Sequence, residues 1–163
     1  MTSRLLVDKL EGKTTSGTIQ MPSGHVIQLV SNEYSTANAI ASTTYVDSGL
    51  TCQITPKFST SKIFIQCNMH FRTQHPTTDS GGGWKIFRDS TNVKSSAVNY
   101  SIYIYDEGGD AIEFRGWQAW NFLDSPSTTS QITYSIQMKG QGGNTVSMNQ
   151  KGVGCFVVYE IAG

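Results

Sequence analysis

The sequence predicts an all-β fold, an antiparallel sandwich or barrel, from three observations. Apolar and polar side chains alternate with a period of two in several segments. Serine (19) and threonine (18) together outnumber the twelve basic and twelve acidic residues. Threonine suits a pleated, half-exposed surface, whereas lysine and glutamate do not. No stretch of helical period is long enough to compete.

The alternation places the strands. In "SKIFIQCNMHFR", Ile63, Ile65, Cys67, Met69 and Phe71 share one face, while Phe64, Gln66, Asn68, His70 and Arg72 share the other. In "SQITYSIQMK", Ile132, Tyr134, Ile136 and Met138 turn inward and Gln131, Thr133, Ser135, Gln137 and Lys139 outward. "VGCFVVYEI" puts Val153, Cys155, Val157, Tyr159 and Ile161 on one side. Half-buried antiparallel strands alternate in this way. Further strands are expected over His25–Val30, Leu50–Thr55, Trp84–Arg88, Ala111–Leu123 and Thr145–Asn149. Turn residues separate them at Pro22–Gly24, Asp47–Gly49, Gly81–Gly83, Asp89–Asn92, Gly108–Gly109, Ser125–Ser127 and Gly140–Asn144. Short strands with polar turns between them read as a sandwich or barrel.

A chain of 163 residues forms one domain with a real core. Its formal net charge is zero, which argues against nucleic-acid partners and an electrostatic membrane anchor. No apolar run is long enough to cross a bilayer, so no membrane insertion is expected. "MTSRLLVDKL" lacks the apolar core of a secretory signal. Cys52, Cys67 and Cys155 fit neither a disulfide framework nor a zinc knuckle. Cys67 and Cys155 read as small buried hydrophobes.

Residues 1–23 read as an N-terminal arm and linker, and residues 24–163 as the sandwich head. Leu5, Leu6, Val7 and Leu10 have nothing local to bury against. Either they dock on another chain or they fold back on their own sandwich. The Pro22–Gly24 corner then turns the chain into the head.

Several stretches of the chain resemble a family. "LLVDKLEGKTTSGTIQMPSGHVIQLVS", "STTYVDSGLTCQITPKFSTSKIFI" and the closing "FVVYEIAG" resemble small virion structural and fibre-tip proteins of marine tailed phages, especially cyanophages. The middle, about Thr73 to Ser130, carries none of the family's motifs. The resemblance implies a virion component with a jelly-roll-like head, assembled in the host cytoplasm as a homotrimer. It also implies that the arm, through Leu5, Leu6, Val7 and Leu10, ties the head to other virion proteins of the tail or capsid. The expected function is host recognition or attachment, through a host-surface glycan or protein. The alternatives are a capsid or tail decoration protein that stabilises the particle and, from another class, a polysaccharide depolymerase.

No catalytic constellation, cofactor or metal site is expected. There is no GxSxG nucleophile motif. His70 and His75, with Asp79 beyond, match no standard metal spacing and read as an outward strand histidine and a loop histidine. Gly81–Gly83 reads as a flexible loop, since no phosphate-binding lysine follows. In "YDEGGDAIE" the clustered carboxylates are of the kind that holds calcium, but they lack an EF-hand spacing, and the preferred reading is an acidic hairpin turn. Trp117 and Trp120 are expected in the core or at a subunit interface. Tyr103 and Tyr105, beside a polar loop, are either core or receptor contacts. As contacts, their rings would meet a glycan, and Asp106, Glu107 and Asp110 would accept hydrogen bonds from its hydroxyls.

Overall fold

The computed structural model describes residues 7, 13, 19, 21–75, 79–95, 100–105, 108–109, 111–142, 144–149 and 152–163. Among them the chain forms β1 (Val26–Tyr34), β2 (Asn38–Ile40), β3 (Val46–Ile54), β4 (Lys62–His75), β5 (Ser80–Arg88), β6 (Thr91–Ser95), β7 (Ile102–Ile104), β8 (Ile112–Asp124), β9 (Ile132–Gly140), β10 (Thr145–Met148) and β11 (Gly154–Ile161). All pairings are antiparallel. One sheet, A, runs β1-β11-β4-β8, and β10 and then β2 extend from the second half of β4. The other, B, runs β3-β9-β5, with β6 and β7 sharing the far edge of β5. With β2, β7 and β10 set aside, the eight remaining strands have the order of a jelly roll.

The core lies between the sheets. From sheet A it takes Ile63, Ile65, Cys67, Met69, Phe71, Val146, Met148, Phe156 and Val158, and from sheet B Leu50, Cys52, Ile54, Trp84, Ile86, Ile132, Tyr134, Ile136 and Met138. The inward faces expected for β4 and β9 are therefore the observed ones. Burial pushes the thiols of Cys67 and Cys52 up, to about 12 and about 11, with Cys155 adding a smaller push. Two polar devices lock the layers. The buried carboxylate of Asp124 accepts hydrogen bonds from Arg88 Nη1 at 2.6 Å and Tyr134 Oη at 2.7 Å, bridging the sheets. Burial, then that bond to Asp124, pushes the Tyr134 phenol up. The buried Glu160 accepts from Gln28 Nε2, Lys57 N and Phe58 N, and so pins the link between β3 and β4.

Four expectations are corrected. In β11 the core takes Phe156 and Val158, not the parity of Cys155, Val157, Tyr159 and Ile161, and Cys155 is only half-buried. This strand is apolar on both faces, and its register with β4 decides. Phe156 lies opposite Cys67 and Val158 opposite Ile65, both inward. Gly81–Gly83 is no flexible loop but the start of β5. A Cβ at Gly82 would stand 2.9 Å from both the Trp84 ring and Val146, so glycine there admits close packing. Asp47–Gly49 lies within β3 as a bulge. Gly49 adopts φ +84°, and a Cβ there would meet the Tyr34 hydroxyl at 2.5 Å. His75 is the last residue of β4 rather than a loop histidine, and His70, outward as expected, is nonetheless buried.

Candidate functional site

Sheet B gathers aromatic and basic side chains on its outer face. In β5 the period of two turns Trp84 and Ile86 inward, which leaves Lys85 outward with Gly81 and Gly83 on the same parity. In β9 the same rule turns Lys139 outward, opposite Gly83. Tyr45 immediately precedes β3, whose Val46 pairs with Met138, so Tyr45 falls beside Lys139. The outcome is a chain of ring and ammonium contacts. Lys85 Nζ stands 4.2 Å from the Tyr45 centroid, and Lys139 Nζ stands 5.2 Å from the same ring and 5.2 Å from that of Tyr100. The Tyr100 and Tyr103 rings follow, centroids 6.0 Å apart and tilted by 32°. The Tyr103 hydroxyl donates to Asp79, and that bond holds the phenol above its usual pKa. Gly81 makes room for Tyr103: a Cβ would lie 3.3 Å from ring atom Cδ2.

Of the expected contact residues, Tyr103 is 47% and Tyr105 68% exposed. Asp106, Glu107 and Asp110 lie outside the described residues, as do Leu5, Leu6 and Leu10, while Val7 is 55% exposed. Tyr45, Lys85 and Lys139 were not anticipated. The outward parity of Lys85 and Lys139 was readable strand by strand, but Tyr45 lay outside every expected strand, and nothing in the sequence told which strands are neighbours.

The outer face of sheet A differs. Register aligns Leu29, Tyr159, Phe64 and Leu123 across β1, β11, β4 and β8. Leu29 and Leu123 are 54% and 49% exposed, and the half-buried Phe64 and Tyr159 rings between them are 6.0 Å apart. Further along, Trp117 is 61% exposed and meets His70 edge-on at 5.6 Å. Trp117 is thus not core, because it pairs with His70 on the outward parity, whereas Trp120 packs against the core. Burial, with Arg115 second, holds the His70 imidazole below its usual pKa. Two concavities flank these faces. A groove of about 350 Å³ lies beside Gln74, His75, Ala111, Ile112 and Glu113, and a cleft of about 240 Å³ lies at the open edge between β6 and β8, beside Lys94 and Trp120. Among the described residues no three His, Cys, Asp or Glu side chains converge as metal ligands would.

No protein-family model and no curated protein matches this sequence. Among solved structures, the VP2 subviral particle of infectious bursal disease virus is similar at 10% identity and a TM-score of 0.44, over 99% of this chain and 42% of that one. The Gt strain of the same virus is similar at 13% identity and a TM-score of 0.43, over 100% of this chain and 43% of the viral one. This chain spans less than half the length of those viral chains. Superposition is loose at these values, and the fold is assigned by the strand order itself.

Proposed function

We propose that this chain is a virion structural protein of a tailed phage, a homotrimeric fibre or knob head that attaches the particle to its host. The observation that carries the reading is the division of the two outer faces. Sheet A offers an apolar rung suited to burial against a sister chain, and sheet B an aromatic and basic surface suited to a ligand. The phage assignment rests on the motifs of the N-terminal third and of the C-terminal strand. The arm, through Leu5, Leu6, Val7 and Leu10, ties the head to the particle. The work is binding, not catalysis. Three modest sites on one trimer act together, so weak single-site affinity becomes firm attachment.

The test has two arms. Light scattering of the purified protein is expected to give three times the 17.8 kDa chain mass, and a monomer at micromolar concentration sinks the trimer. Purified head added to host cells is expected to compete with phage adsorption. Incorporation into the particle without such competition assigns a decoration protein instead, and release of reducing ends from host polysaccharide assigns a depolymerase.

A further inference from the structure

We infer that the outer face of sheet B binds an anionic saccharide, along the row Asp79–Tyr103–Tyr100–Lys139–Tyr45–Lys85. The inference rests on the reading of the head as an attachment module and names the ligand class that module takes.

Three features point to this class. The first is the pairing of two ammoniums on one ring. Lys85 and Lys139 both lie over Tyr45, and among the described residues neither is joined to a carboxylate by an ion pair. The two like charges share one ring, and an anion bound beside both is attracted by each of them. The second is the platform. Tyr100 and Tyr103 present adjoining rings, and the apolar C–H face of a pyranose packs on such a surface while its hydroxyls stay free. The rings are held in place. Tyr103 is tied to Asp79 and lies against the β5 backbone at Gly81, and Tyr100 is tied to Lys139. Little ordering therefore remains to be done on binding. The third is polarity along the row. The carboxylate of Asp79 stands at one end and the two ammoniums at the other. An acidic sugar is thereby oriented, with hydroxyls toward Asp79 and its carboxylate or sulfate toward Lys139 and Lys85. A simple anion would use the lysines alone. A neutral sugar would use only the rings and Asp79.

The experiment titrates the full chain by calorimetry with three oligosaccharides of matched length: a uronate, a sulfated glycan and a neutral glycan. At least one anionic ligand is expected to bind about tenfold more tightly than the neutral one, and more weakly as salt rises. The two anionic arms tell carboxylate from sulfate. The K85A/K139A double variant is expected to lose that preference, with Tm changed by no more than about 2 °C since both side chains lie on an outer face. Equal binding of anionic and neutral ligands, no binding of any, or a double variant that binds like the parent overturns the inference. The attachment reading is judged separately, by competition for adsorption. A head that competes yet binds no anionic glycan defeats this inference alone.

Discussion

On sheet A one outward rung, Leu29–Tyr159–Phe64–Leu123, is apolar across four strands, whereas on sheet B the outward residues around Tyr45 alternate rings with lysine ammoniums. Both faces rest on the same core and on strands of similar alternation. The difference therefore does not come from the period of two, which only separates inside from outside. It comes from register and strand order, which set residues from distant parts of the sequence side by side. Leu29 and Leu123 are 94 positions apart in the chain and share one rung.

The comparison breaks most severely if the common interior fails. Ile136, fully buried in β9, and its neighbour Gln137, half-buried on the outer face of sheet B, test the boundary between inside and outside. Ile136→Ala is expected to cost about 2–5 kcal/mol, the lost transfer energy plus the cavity left behind. Gln137→Ala is expected to stay within roughly 0.5 kcal/mol. Urea denaturation of both variants settles the assignment of faces, and equal losses overturn it. Asp124→Ala belongs with the larger effects. It strands Arg88 and the Tyr134 hydroxyl together, and breaking a largely buried pair from one side costs about 3 kcal/mol.

The next test separates the two faces by assembly. Replacing Leu29 and Leu123 together by glutamate puts charge at both ends of the apolar rung while leaving the core untouched. Light scattering is expected to return the 17.8 kDa chain mass from a variant whose far-ultraviolet dichroism matches the parent. An unchanged trimer would move the interface elsewhere. On the opposite face, Tyr103→Ala with Tyr105→Ala is expected to lower host adsorption while the oligomer mass holds and Tm falls only slightly, because both rings are largely outside the core. Adsorption equal to the parent's would remove these tyrosines from the contact surface.

What the sequence revealed, and what it hid, follows the same division. The cores of β4 and β9 were legible because their apolar residues occupy one parity only. β11 was not, because Val157 and Tyr159 compete with Phe156 and Val158, and only the pairing with β4 chooses between them. The run Gly81–Gly83 carries no side-chain pattern, so its place in β5, where a Cβ at Gly82 would collide with Trp84, had no sequence signal. The short strands β2, β6 and β7 are held by their neighbours' hydrogen bonds rather than by their own alternation. At the site, Tyr103 and Tyr105 stood out as aromatics beside a polar loop. Tyr45, Lys85 and Lys139 meet only because β3, β9 and β5 are adjacent in the sheet.

The smallest expected effect concerns pH and sharpens the contrast at His70. This imidazole faces outward from β4 yet is only 7% exposed, lies edge-on against Trp117, and has no hydrogen-bond partner at Nδ1 among the described residues. Burial first, and the Arg115 charge second, disfavour its protonated form and hold its pKa below the usual 6.5. The sign of the stability change follows. As pH falls, the unfolded chain takes up this proton before the folded one does. His70 therefore imposes no penalty well above pH 6.5, and the folded state loses stability as pH drops below that value toward the lower folded pKa. The loss stops growing once both states are protonated. The informative quantity is a difference between proteins. His70→Gln is expected to show a smaller fall in Tm than the parent between pH 7.5 and pH 5. The lysine and tyrosine row on the other sheet contains no histidine, so K85A/K139A is expected to keep the parent's slope over that range. If His70→Gln also keeps it, protonation beneath Trp117 is tolerated, and the outer face of sheet A is looser at this point than its packing implies.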